Sequence, residues 1–145
     1  MAKEAAEVER TILGNLEAWR RSAERKPLIL TGARQIGKTW IIREFGKRYF
    51  PHTAYVSFED APALAGQFEK TLDPKRLIRA ISAETGVRVT PATLIVFDEV
   101  QEAPRAITSL KYFCEEAREY PIIAAGSALG IALHKGLSFP VGKVD

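Results

Sequence analysis

Eight consecutive residues, Gly32-Ala33-Arg34-Gln35-Ile36-Gly37-Lys38-Thr39, fit the spacing G-x-x-x-x-G-K-[ST] in full. Glycines allow a backbone to wrap closely round an anion with its N–H groups turned inward. A helix opening near Lys38 would aim its positive dipole end at the same spot. Lys38 can reach the outer oxygens of a polyphosphate, and the Thr39 hydroxyl can bind Mg2+. Trp40 follows directly, so the candidate cradle runs from Gly32 through Trp40. Without its flanks the stretch would be an ordinary glycine-containing turn, but PLILT leads in as a strand and WIIREF leads out as a helix.

The stretch TLIVFDEV, from Thr93 to Val100, carries the matching chemistry. Its apolar run ends in Asp98-Glu99, and carboxylates at the C-terminal end of a parallel strand face the crevice where ligands bind. Asp98 is a candidate Mg2+ carboxylate, acting through the ion's water shell. Glu99 is placed to polarise a water for attack on a γ-phosphate. Standing alone, the pair would read equally well as a solvated acidic strand end. The adjacent Asp-Glu, with no guanine-reading N-K-x-D segment, points to ATP hydrolysis rather than to a GTPase or a small-molecule kinase.

A third group is Gly126-Ser127, closing the apolar run PIIAAGS. Ser127 reads either as a sensor touching the γ-phosphate or its attacking water, or as part of a strand-ending turn. Gln101, two residues after Glu99, is a candidate to share that contact. Arg34 either touches phosphate or a neighbouring subunit, or is solvated. Glu99, Lys38 and Ser127 are thus the candidate catalytic residues, and Thr39 and Asp98 the candidate metal ligands.

The elements that must position these residues alternate along the chain. Val8, Ile12, Leu16 and Trp19 recur at helical spacing, which predicts a helix over 4–22. Leu28 to Leu30 predict a buried strand, 38–50 a helix stopped by Pro51, and TAYVSFE a second strand. Residues 60–72 give no clear signal. Asp73-Pro74 opens a helix that Gly86 ends. TLIVFDEV is a third strand, a helix follows Pro104, and PIIAAGS is a fourth strand. The tail ALGIALHKGLSFPVGKVD has no period and predicts loops or a short helix. Short apolar strands between helices argue for a parallel α/β sheet covered on both faces.

Composition bounds the rest. The 145 residues suit one domain, 46% hydrophobic and 27% charged, as in a soluble globular protein. Twenty-one basic against 18 acidic residues leave a net charge of +3, too even to argue for nucleic acid. The lone Cys114 excludes an internal disulfide and falls on the buried face of its predicted helix. His52 and His134 lack ligand-like spacing. No run approaches the roughly 20 apolar residues of a membrane helix, and MAKEAAEVER does not resemble a secretory signal, so a cytoplasmic location is expected.

Taken together, GARQIGKT, YVSFED, LIVFDEVQEAP, LKYF, IIAAGSALG and SFPVGKV occur in the order seen in a prokaryotic group of AAA-type P-loop ATPases. The chain resembles that family from about Ile12 to its last residue. The resemblance implies a three-layer P-loop NTPase fold, ATP and Mg2+ as ligands, Asp98 as the metal-coordinating aspartate, Glu99 as the catalytic glutamate and Ser127 at the sensor position. It also implies the strand order 1-4-3-2 with a fifth strand beyond strand 1. The sequence itself shows no fifth strand, no sensing arginine and no arginine finger. Members of the group continue into a C-terminal domain of unknown function, so the expectation is a fragment or truncated gene product. Its phosphate-loop strand would then lie at an open edge and its turnover would be slow. Trp19 packs either near an adenine or on the sheet. The alternative to an ATPase is a nucleotide-dependent binding module with little hydrolysis. A protein client or self-association fits either reading; DNA handling has little support from the charge.

Overall fold

Asp73-Pro74 shows how local chemistry sets an element. The Asp73 carboxylate accepts from the Lys75 backbone N–H at 3.2 Å, Pro74 sits where no N–H is needed, and Gly86 closes the helix at φ 71°. The computed structural model describes residues 2–32, 37–127 and 141–144 of the chain. In order these form α1 (Ala2–Arg21), β1 (Leu28–Gly32), α2 (Lys38–Tyr49), β2 (His52–Ser57), α3 (Pro62–Lys70), α4 (Pro74–Thr85), β3 (Thr93–Asp98), a 3-10 turn (Val100–Glu102), α5 (Pro104–Glu116), β4 (Ile122–Gly126) and β5 (Val141–Val144). Helix α3 fills part of the stretch that sequence pattern left unread; its Leu64 and Phe68 are buried.

The strands form one sheet in the order β2-β3-β4-β1-β5, and every pairing is parallel. The order 1-4-3-2 implied by the resemblance is therefore the order of the structure. The expectation of a missing fifth strand is corrected: Val141–Val144 runs along the free side of β1, with Ile29 opposite Val141 and Gly32 opposite Val144. Strand β1 is interior, between β4 and β5, and the open edge argued from sequence does not exist there. Four residues including a glycine carry almost no strand signal of their own. Their pairing uses the backbone groups of β1, which a one-dimensional pattern does not display.

Strand period 2 divides the core into two halves. Leu28, Leu30, Leu94, Val96, Ile123 and Ala125 face α1 and α2, meeting Ile12, Leu16, Ile41, Ile42 and Phe45. Ile29, Ala54, Val56, Ile95, Phe97, Ile122 and Ala124 face α3, α4 and α5. Phe58, Phe68 and Phe97 stack edge to face with centroids 5.5 Å apart, a geometry worth about 0.5–1.5 kcal/mol per pair beyond burial. Val8, expected on the buried stripe of α1, is exposed, while Leu13 takes a place in the core. Cys114 is buried, as its helix face predicted. Trp19 packs against Phe45 at 6.4 Å and donates to the Lys26 carbonyl at 2.7 Å, just before β1 and so at the opposite end of that strand from Gly32.

Helix α2 lies so close to β2 that Gly46 has no room for a side chain. A Cβ there would overlap Thr53 Oγ1 and stand 3.3 Å from Leu94 Cδ2. Two effects of Gly46→Ala therefore oppose each other: about 1 kcal/mol gained in helix propensity and about 1–3 kcal/mol lost to overpacking. Urea denaturation is expected to show Gly46→Ala destabilising in the parent chain. With Thr53→Ala the overlap with Oγ1 is gone and the Leu94 contact at 3.3 Å remains, so the same substitution is expected to cost less than in the parent chain.

Candidate functional site

Parallel strands bring their C-terminal ends to one side of a sheet. Here Thr31 lies opposite Gly126, Phe97 opposite Ala124 and Ser57 opposite Asp98. The ends of β1, β4, β3 and β2 are thus level. Gly32 at the end of β1, the Asp98-Glu99 pair and Ser127 therefore lie along this one rim.

Gly37 turns the chain into α2 at φ 69° and ψ 38°, a left-handed conformation that favours glycine, and its carbonyl accepts the first helical hydrogen bond from Ile41 at 3.0 Å. The space beside it is open, so the dihedral and not crowding calls for glycine. Lys38 begins α2 and is buried; Thr39 and Trp40 are exposed beside it. Gly32 is the last residue of β1. Ala33, Arg34, Gln35 and Ile36 lie outside the described residues.

Asp98 is 4% exposed at the end of β3 and both of its carboxylate oxygens accept hydrogen bonds. Oδ1 accepts from the Glu99 backbone N–H at 2.9 Å. Oδ2 accepts from Thr39 Oγ1 at 3.1 Å and from the Tyr55 hydroxyl. A buried carboxylate without such donors would be costly. Arg43, one turn beyond Thr39 on α2, places its guanidinium 3.9 Å from the centroid of the Tyr55 ring. Burial first, then the hydrogen bond and charge of Asp98, push the Tyr55 phenol well above the ordinary tyrosine value; Thr39 and Arg43 oppose the shift.

Glu99 adopts φ 50° and ψ 44°, the only non-glycine residue with positive φ among those described. Its Oε2 accepts from Gln101 Nε2 at 2.7 Å, and Gln101 Oε1 accepts from the Ser127 backbone N–H at 3.3 Å. The structure therefore makes two linked groups from the predicted residues, Thr39 with Asp98 and Glu99 with Ser127 through Gln101. Sequence pattern does not single out Tyr55 or Arg43. The signal was available only in part, since YVSFED alternates as a strand but the register against Asp98 is tertiary. A cavity of about 360 Å³ lined by Asp73, Ile78, Arg79 and Tyr120 lies between α4 and α5 and contains none of these residues.

The raised Tyr55 value has a sign that can be measured. The neutral phenol is favoured in the folded state, so its stabilisation is whole below about pH 10 and is lost as pH climbs toward the folded value. An ultraviolet titration is expected to show part of the tyrosine ionisation delayed to high pH. Tyr55→Phe should abolish that delayed part and flatten the alkaline loss of stability.

The fold has a counterpart among known proteins. The solved structure of C. elegans PCH-2 is similar, with a TM-score of 0.51 at 12% identity, covering 95% of this chain and 42% of that one. At that identity the likeness is one of fold, and the chain spans less than half the length of PCH-2. No curated protein matches the chain. The AAA domain family matches residues 24–145, a span that holds the loop, the Asp-Glu strand end and Ser127. The chain belongs to the AAA domain family and is a nucleotide-binding AAA module.

Proposed function

We propose that the chain is a single ATPase domain that binds ATP with Mg2+ between the 32–39 loop and the end of β3 and hydrolyses it to ADP and phosphate. The observation that carries this reading is the 3.1 Å hydrogen bond from Thr39 Oγ1 to Asp98 Oδ2, which joins two motifs 59 residues apart. A hydroxyl and a carboxylate converging at one point are hard oxygen donors. They suit Mg2+, which binds through one or two carboxylates together with substrate phosphates and water. When bound, Mg2+ supplies neutralisation of charge on the phosphate oxygens.

The chain's own residues supply position and charge. Lys38, at the head of α2, brings its ammonium to the triphosphate tail, and the helix start adds its dipole. Glu99 orients the attacking water and accepts its proton. Ser127, on the same rim, contacts the γ end, and Trp40 flanks the loop. Reaction of this kind needs little covalent participation from protein, mainly a dry, charge-matched seat.

Phosphate release and ATP binding, measured side by side, test the reading. Lys38→Ala is expected to lose both. Glu99→Gln should keep ATP binding while release falls by about 10²-fold or more. Chelation of Mg2+ should stop release. Glu99→Gln running at the parent rate would remove Glu99 as the base. Clear ATP binding with release at the buffer's background would make the chain a nucleotide-dependent binding module. ATP that fails to bind at millimolar concentration overturns the site altogether.

A further inference from the structure

Gln101 sits in a space made for it. A Cβ on Gly126 would run into Gln101 Oε1 and stand 3.3 Å from Val100 Cγ1, so the end of β4 carries glycine where the Gln101 amide lies. The 3-10 turn at Val100–Glu102 doubles the chain back, bringing the side chain of Gln101 to that of Glu99, two residues earlier. The partners also fix which way the amide points. A carboxylate only accepts and a backbone N–H only donates, so Nε2 must face Glu99 at 2.7 Å and Oε1 must face Ser127 N at 3.3 Å. Leucine has neither group, and an ionised glutamate would set a second carboxylate against Glu99.

We propose that Gln101 is a positioning residue that ties the Glu99 carboxylate to the end of β4, so that one amide sets both the orientation of the base and the seat of Ser127. This rests on Glu99 being the base of the proposed hydrolysis. The left-handed backbone at Glu99 swings the side chain out of the line of β3, and the Gln101 donor holds it there. Any displacement of the β4 end, such as a γ-phosphate meeting Ser127, is passed to the base through the same amide.

Two variants break the tie in different places. Gln101→Leu keeps an uncharged side chain of similar bulk, one atom shorter, and removes both hydrogen-bonding groups. Gly126→Ala leaves Gln101 intact and displaces its amide. In the full chain, each is expected to lower kcat by roughly tenfold to a hundredfold, the scale of a slightly misplaced catalytic group. KM and Kd for ATP should change far less than kcat, because Lys38 and the Thr39–Asp98 pair are untouched, a split that general loss of folding would not produce. The double variant should lose no more than the worse single one. Glu99→Gln is run alongside. If it leaves turnover unchanged, the base assignment fails. If it stops turnover while Gln101→Leu retains the parent kcat, the positioning role fails. A rise in kcat for Gln101→Leu, or multiplicative losses in the double variant, overturns it equally. A second measurement needs no turnover: the Ser127 amide resonance should shift on Glu99→Ala, and much less so in the Gln101→Leu background. No shift in the first case, or an equal shift in both, refutes the tie.

Discussion

Asp98 is the one carboxylate that the rest of the rim is arranged around. It is nearly excluded from solvent, and three donors reach it, from its own strand end, from α2 and from β2. Burying a charged group is unfavourable by several kcal/mol unless hydrogen bonds replace the lost water. The three donors meet that demand only if α2, β2 and β3 hold their relative positions. A polar requirement at one atom group thus constrains three elements. Arg43, seated on the Tyr55 ring, strengthens the link from α2 to β2 from the outside.

The apolar core makes this arrangement rigid. Both faces of β3 and β4 are wholly buried, and the alternation of side chains sends half of each strand to each helical layer. A sheet clamped in this way cannot slide by one residue without exchanging its two faces. The levels of the strand ends, and with them the distances among Thr39, Asp98, Glu99 and Ser127, follow from that register. Two glycines mark where the packing admits no side chain at all. Gly46 makes way for Thr53 between α2 and β2, and Gly126 makes way for Gln101 at the rim. Neither has a positive φ, so both serve close approach and not backbone freedom.

Much of the layout was legible because it is written in local chemistry. The Asp73-Pro74 start and Gly86 stop of α4, the apolar runs of β3 and β4, and the turn at Gly37 each depend on residues within a few positions of one another. The strand order was not legible in periodicity; it entered through resemblance to a family and is the order the sheet has. Helix α3 is not legible in the sequence because Pro62 to Lys70 buries only Leu64 and Phe68, too few positions for a clear period. Strand β5 is not legible in the sequence because VGKV has no pattern apart from the backbone of β1 beside it.

The sequence by itself determined the chemical inventory: a glycine-lysine loop, a hydroxyl after it, an acid pair at a strand end and a serine at another. Those are properties of residue type and short spacing, and no fold is needed to state them. Tertiary structure alone decided which groups meet. It brought Tyr55 and Arg43 to Asp98, turned Glu99 onto Gln101, and placed β1 inside the sheet. Contacts across tens of residues depend on register, helix seating and the space left by an absent Cβ. None of these has a magnitude until the whole core has packed.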